Sequence, residues 1–190
     1  KALGDTVKCK EILTAAFAKF PTNQSVLVAL INVYRETNED PAKVLEVLKA
    51  AQANEPNNAS LFYAEGDVYK NLGQLEDAIA AFKKAGEIDV NYIFAPYSEG
   101  ATYYDLAIKI DEKAQAEMDD EKYLALKEQV DQALLNAIAP FEKAFEVSED
   151  ADIKLACAEY LKNIYFRFRE KGVDFQTNYD KYNKYVEENK

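Results

Sequence analysis

Apolar residues recur along this chain at spacings of three and four, the period of one helix face. The runs are short and are separated by Gly, Pro, Asn and Asp. The clearest run lies between Ala59 and Tyr92. Leu61, Phe62, Val68, Tyr69 and Leu72 form one stripe, and Ala78, Ile79, Phe82 and Ala85 form a second. Asn58 is placed to cap the first helix, because its side-chain oxygen can accept from a free backbone N–H. Gly73 ends it, since glycine enters the left-handed region without a Cβ penalty. The second helix starts near Leu75. Two helices joined by so short a turn lie antiparallel and bury their stripes against each other.

The same pattern repeats on both sides. A shift of 34 carries Gly66 to Gly100 and Tyr69 to Tyr103, and a shift of 34 backwards carries Ala78, Phe82 and Ala85 to Val44, Leu48 and Ala51. A further step back reaches Cys9, Leu13 and Ala16, with Pro21 matching Pro56. Forwards, Ala78, Ile79, Phe82, Ala85 and Glu87 reappear at Ala137, Ile138, Phe141, Ala144 and Glu146, a shift of 59. The fourth unit therefore holds about 25 extra residues between its helices, and at 1.5 Å rise per residue a pair lengthened by about 12 residues each projects by about 18 Å.

In chain order, a helix over Gly4–Phe20 has the stripe Ile12, Leu13, Ala16 and Phe17. The next unit starts near Ser25 with Leu27, Leu30, Ile31 and Tyr34. Asp40 and Pro41 open its second helix, with Pro in the first turn. Asn91 is expected to cap the long helix that follows, and Asp119 and Asp120 mark the turn to its partner, which Pro140 should kink. The last pair, broken at Gly172, is dense in aromatic residues that read as core. Nine helices and no sheet are expected.

A 34-residue period with Phe62, Gly66, Tyr69, Gly73, Ala78, Phe82 and Ala85 at their positions resembles the tetratricopeptide repeat. Glu65 and Val90 depart from its usual Leu and Pro. The resemblance implies an all-α fold, a right-handed superhelix of about four and a half helix pairs with one pair elongated. It divides the chain into a half unit (1–23), repeats at 24–58 and 59–92, an elongated repeat at 93–149 and a capping pair at 150–190. The lengthened unit and Tyr-rich ends are similar in style to tetratricopeptide proteins of bacterial cell envelopes, which implies a periplasmic or envelope setting, with the cytoplasm also open.

The charge balance, 23 basic against 34 acidic residues for a net −11, disfavours nucleic acid, whose phosphates need Lys and Arg, and disfavours anionic lipid. No apolar run approaches the roughly 20 residues of a membrane span. Histidine is absent, and there is no glycine-rich phosphate loop and no Cys-x-x-Cys pair. No catalytic, cofactor or metal residues are expected. The acidic run Glu117, Asp119, Asp120 and Glu121 lacks the spacing and glycine of a calcium loop and reads as a capped turn. Cys9 and Cys157 read as two small buried hydrophobes, too far apart for a disulfide.

The resemblance also implies a partner-binding groove, lined by the first helix of each unit. Its family positions fall on Ser60, Tyr63, Asp67 and Lys70, on Phe94, Tyr97, Ala101 and Tyr104, and in the earlier unit on Val28, Asn32 and Arg35. Tyrosine supplies contact area with a polar tip, so a protein or peptide is the expected partner. Val28 and Tyr63 stand where chaperone-binding members carry cations, which argues against that role. The expected function is a non-catalytic interaction scaffold. The alternative is a structural or oligomerisation segment acting through its ends and the elongated pair. The apolar face of the first helix, with Cys9, Ile12 and Phe17, predicts either self-association or a further helix upstream of Lys1.

Overall fold

The computed structural model describes residues 3–20, 23, 25, 26, 29, 30, 32, 33 and 41–189. Eight α-helices have both ends among these residues: α1 (Leu3–Lys19), α2 (Pro41–Asn54), α3 (Ala59–Asn71), α4 (Leu75–Ile88), α5 (Phe94–Gln115), α6 (Asp120–Val147), α7 (Ala151–Phe168) and α8 (Val173–Glu188). A 3-10 turn over Arg169–Lys171 links the last two. Between α1 and α2, the described residues Ser25, Val26, Ala29, Leu30, Asn32 and Val33 are also helical, where the ninth helix is expected. Leu27, Ile31, Tyr34 and the Asp40 cap lie outside the described residues. No strand occurs among the described residues. From α2 onward each helix packs on the next, giving the right-handed solenoid of helix pairs.

The interior follows the repeat. Ala78, Phe82 and Ala85 are buried on α4, as are Ala137, Phe141 and Ala144 on α6. Small residues opposite these rings let the helices approach. A Cβ on Gly66 would stand 2.6 Å from the Phe82 ring, and one on Gly100 would stand 2.9 Å from the Phe141 ring. Gly73 has φ +71° in the α3–α4 turn, the left-handed conformation that ends the helix. At the N-terminal end, Phe17, Leu30, Val44, Leu48, Ala51, Leu61 and Val68 share one core. Phe17 is thus covered, whereas Ile12 is 61% exposed.

The helix ends agree with the sequence at two places and differ at a third. The side chain of Asn58 accepts from the Ser60 N–H, and that of Asp119 accepts from the Lys122 N–H. Glu117 Oε1 accepts from the N–H groups of Met118 and Asp119, so the acidic run serves its own turn. Asn91 does not cap α5. The helix begins after Ile93 without a side-chain cap, and the Asn91 N–H instead donates to Asp89 Oδ1 at 2.9 Å. The cap position falls on Ile93, two residues beyond Asn91, so the Asn91 side chain does not stand where it could accept from the first free N–H groups of the helix. The α6 helix runs unbroken through Pro140.

The cysteines also part company. Cys157 is buried in the main core, and burial pushes its thiol up to about 12. Cys9 is exposed, contrary to expectation. The face of α1 that packs inward is the one bearing Phe17, with Leu13 partly buried against the same cluster.

The elongated pair is 22 and 28 residues long, against 13 and 14 in the unit before it. It is tied in several places. Lys127 pairs with Asp111 across the hairpin, and Arg167 and Lys171 both reach Asp131. Lys109 on α5 donates to the Gly73 carbonyl at 3.0 Å, reaching back to the previous turn. Each surface pair is worth little alone, but together they define the hairpin's attachment. At the C-terminal end Glu142 accepts from the hydroxyls of Tyr165 at 2.9 Å and Tyr182 at 3.2 Å. Burial and the neighbouring Glu142 raise both phenols above the usual tyrosine range, so they remain donors to that carboxylate.

Candidate protein-binding face

The first helices α3, α5 and α7 are joined by a run of half-buried tyrosines. On α3, the Tyr63 ring lies 5.2 Å from Phe82 and meets Tyr92 edge-on at 5.4 Å. The Tyr63 hydroxyl is 3.3 Å from Ser98 Oγ on α5, and Tyr92 is hydrogen-bonded to Ser60. Tyr97 on α5 meets Phe141 edge-on, Phe141 stacks on Tyr160 of α7 at 4.6 Å, and Tyr160 meets Tyr104 edge-on at 5.0 Å. Burial keeps the phenols of Tyr63, Tyr92, Tyr97 and Tyr160 above the ordinary range. They stay neutral and present hydroxyl groups at one edge and apolar faces beside them. Lys70 pairs with Asp105 at 2.9 Å, which ties α3 to α5 alongside this run.

Of the residues expected to line a groove, Ser60, Tyr63, Asp67, Lys70, Tyr97 and Tyr104 are half-buried, and Phe94 and Asn32 are exposed. Val28 and Arg35 lie outside the described residues. Ala101 is buried in the main core and offers no surface to a partner. A small residue there lets α5 sit close on its neighbours. The sequence reading missed Tyr92, Ser98, Asp105 and Tyr160. Ser98 stands four residues on from Phe94 and Asp105 four on from Ala101, a spacing that places them beside the groove positions. Tyr160 was grouped with the aromatic core of the last pair, and only the fold shows that it meets Tyr104.

The opposite side of α5 carries different chemistry. Glu99 is half-buried among α4, α5 and α6, and desolvation raises its carboxyl to about 7 despite Lys83 and Lys143, with Glu87 adding to the rise. The folded state therefore holds this proton more tightly than the unfolded chain. The stabilisation is full below the unfolded value, near 4.5, and is lost as pH rises through about 7. Glu99→Gln is expected to be more stable than the wild type at about pH 8 by roughly 2 kcal/mol, with the gap closing towards about pH 5. Urea unfolding of both proteins at the two pH values measures it.

A family model for the tetratricopeptide repeat matches residues 59–91. Solved structures extend the likeness to the whole chain. The crystal structure of MamA aligns at TM-score 0.58 and 18% identity, covering 98% of this chain and 89% of that one. A monomeric IFIT1 mutant with Gppp-AAAA aligns at TM-score 0.62 and 20% identity, covering 93% of this chain and 34% of that one. No curated protein matches in sequence. The chain has the fold of a tetratricopeptide-repeat solenoid, and one of its helix pairs matches the repeat in sequence. No described helix is long and apolar enough to cross a membrane, and no described cluster of acidic and cysteine side chains is grouped to hold a metal ion.

Proposed function

We propose that this chain is a non-catalytic scaffold that binds a protein or peptide across α3, α5 and α7. The observation that supports this is the run Tyr63, Tyr92, Tyr97, Tyr104 and Tyr160, shared by three successive first helices and the turn before α5. These are the helices that line the inner groove of tetratricopeptide proteins. Half-buried tyrosines are held by their neighbours before a ligand arrives, so little side-chain entropy is lost on contact. With Phe94 exposed nearby, the face combines apolar area with hydroxyl donors, as interface hot spots do.

Peptides selected on this chain from a random displayed library provide the test. The Tyr97→Ala, Tyr104→Ala double variant, shown folded by its far-UV spectrum, is expected to bind them at least tenfold more weakly. A Met118→Asp, Leu124→Asp variant at the hairpin tip is expected to bind normally. The reverse outcome would move the binding surface to the projection.

One observation favours self-association as a second reading. Ile12 is 61% exposed on α1, close in sequence to the exposed Phe20. Sedimentation of the wild type and of Ile12→Glu decides it: a dimer abolished by the substitution supports the reading, and a monomer at high concentration removes it. Phe17 is unsuited to the same test, because it is buried in the N-terminal core.

A further inference from the structure

Where α4, α5 and α6 meet there is an open cleft of about 610 Å³. It lies about a third of a turn round α5 from Tyr97 and Tyr104, on the face shared by Pro96, Glu99 and Tyr103 in a 3.6-residue helix. Lys83 and Glu87 line it from α4, Lys143 and Asn136 from α6, and Glu99 and Tyr103 from α5. Lys143 donates to the Gly86 carbonyl at 3.3 Å, so its ammonium is held at the cleft wall. Glu87 is drawn outwards, 3.9 Å from Lys84. Glu99 forms no hydrogen bond or close ion pair with either lysine, although both act on it electrostatically.

Two backbone features lie at the cleft wall. Gly86 sits inside α4, where glycine costs about 1 kcal/mol relative to alanine. A Cβ there would make only ordinary contacts, 3.6 Å from Ala95 and 3.9 Å from Pro96. Packing therefore does not require the glycine, which lines the cleft. Pro140 removes the helical donor to the Asn136 carbonyl, and both residues line the same cleft.

We propose that this cleft binds a carboxylate group between Lys83 and Lys143, with the Glu99 carboxyl, the Tyr103 hydroxyl and the Asn136 amide as further donors. A cation is disfavoured by lysines on both walls. Burial raises the Glu99 carboxyl to about 7, and a neutral carboxyl donates to a carboxylate where an ionised one repels it. Binding thus takes up a proton. The carboxylate can belong to a free small diacid or to an acidic residue of a peptide.

Backbone amide resonances of the full chain, followed during titration with succinate and separately with acetyl-Gly-Glu-Gly-amide, test this. Shifts clustered at the cleft residues are expected with at least one probe; which probe binds more tightly distinguishes the free diacid from the peptide. The affinity is expected to fall roughly fivefold from about pH 7 to about pH 8, as Glu99 loses its proton. Lys83→Ala, Lys143→Ala should weaken binding at least tenfold. Glu99→Gln should bind at neutral pH and lose the pH dependence. The proposal is overturned if neither probe shifts the cleft at millimolar concentration, if the lysine variant binds unchanged, or if Glu99→Gln keeps the same fall with pH.

Discussion

Replacing Phe141 by alanine is expected to lower the unfolding free energy by about 3–5 kcal/mol, the usual cost of emptying a buried aromatic site. Phe141 is fully buried. Its ring stacks on Tyr160, meets Tyr97 edge-on and fills the space above Gly100. It therefore touches α5 and α7 from α6, and its loss removes contacts at two interfaces at once. Nearest-neighbour contacts carry the stability of a solenoid, so the C-terminal units should unfold at lower urea than the rest. Fluorescence from a reporter at each end, followed through a urea titration, would show whether the transition splits. A single transition shifted by less than about 1 kcal/mol would mean that the ring is dispensable and that Tyr97 and Tyr160 close over its place.

Gly66→Val is expected to cost about 3 kcal/mol, by overpacking instead of emptying a site. The added Cβ alone would stand 2.6 Å from two atoms of the Phe82 ring, and Phe82 is itself fully buried between its neighbours. The ring cannot swing away, so α3 and α4 must separate. A second change tests this steric cause, since helix propensity alone would favour either replacement over glycine inside α3. Combining Gly66→Ala with Phe82→Leu should cost less than the sum of the two single changes, because the smaller side chain leaves room for the methyl group. Additive costs would place the penalty in the backbone and not in the contact.

These two positions also explain why the fold was legible in the sequence. Gly66 with Phe82, and Gly100 with Phe141, are small and large partners across a short turn. Their spacing is set by contact within one helix pair, so the period of the sequence reports the packing directly. The long α5 and α6 were legible for the same reason, from unbroken stripes with no Gly or Pro after Gly100 until Pro140. The binding face was legible only in part. Tyr63, Tyr97 and Tyr104 follow from register on their own helices, whereas Tyr160 joins them through a contact with α7 that no local spacing records. The Glu99 cleft was not legible at all. It needs Lys83 and Lys143, on two different helices, to face one carboxyl on a third. Cys9 and Asn91 failed for a further reason. The repeat pattern says which positions tend to be small or to cap, but the helix after Asn91 starts two residues later than the cap requires, and at Cys9 the packed face of α1 is that of Phe17.

The contrast between the two thiols has a practical consequence for chemistry done on the chain. A thiol reacts as its thiolate, and Cys157 is both enclosed and held in the protonated form. Cys9 stands in solvent on α1. With only two cysteines in the sequence, a maleimide dye or spin label added to the native protein should attach at one place, without any engineered residue. That place is one turn from Ile12, so the label would sense the arrival of a second chain on α1. Reaction at Cys157 would in turn register opening of the C-terminal core, and the ratio of the two rates would serve as a clock for how often that end of the stack comes apart.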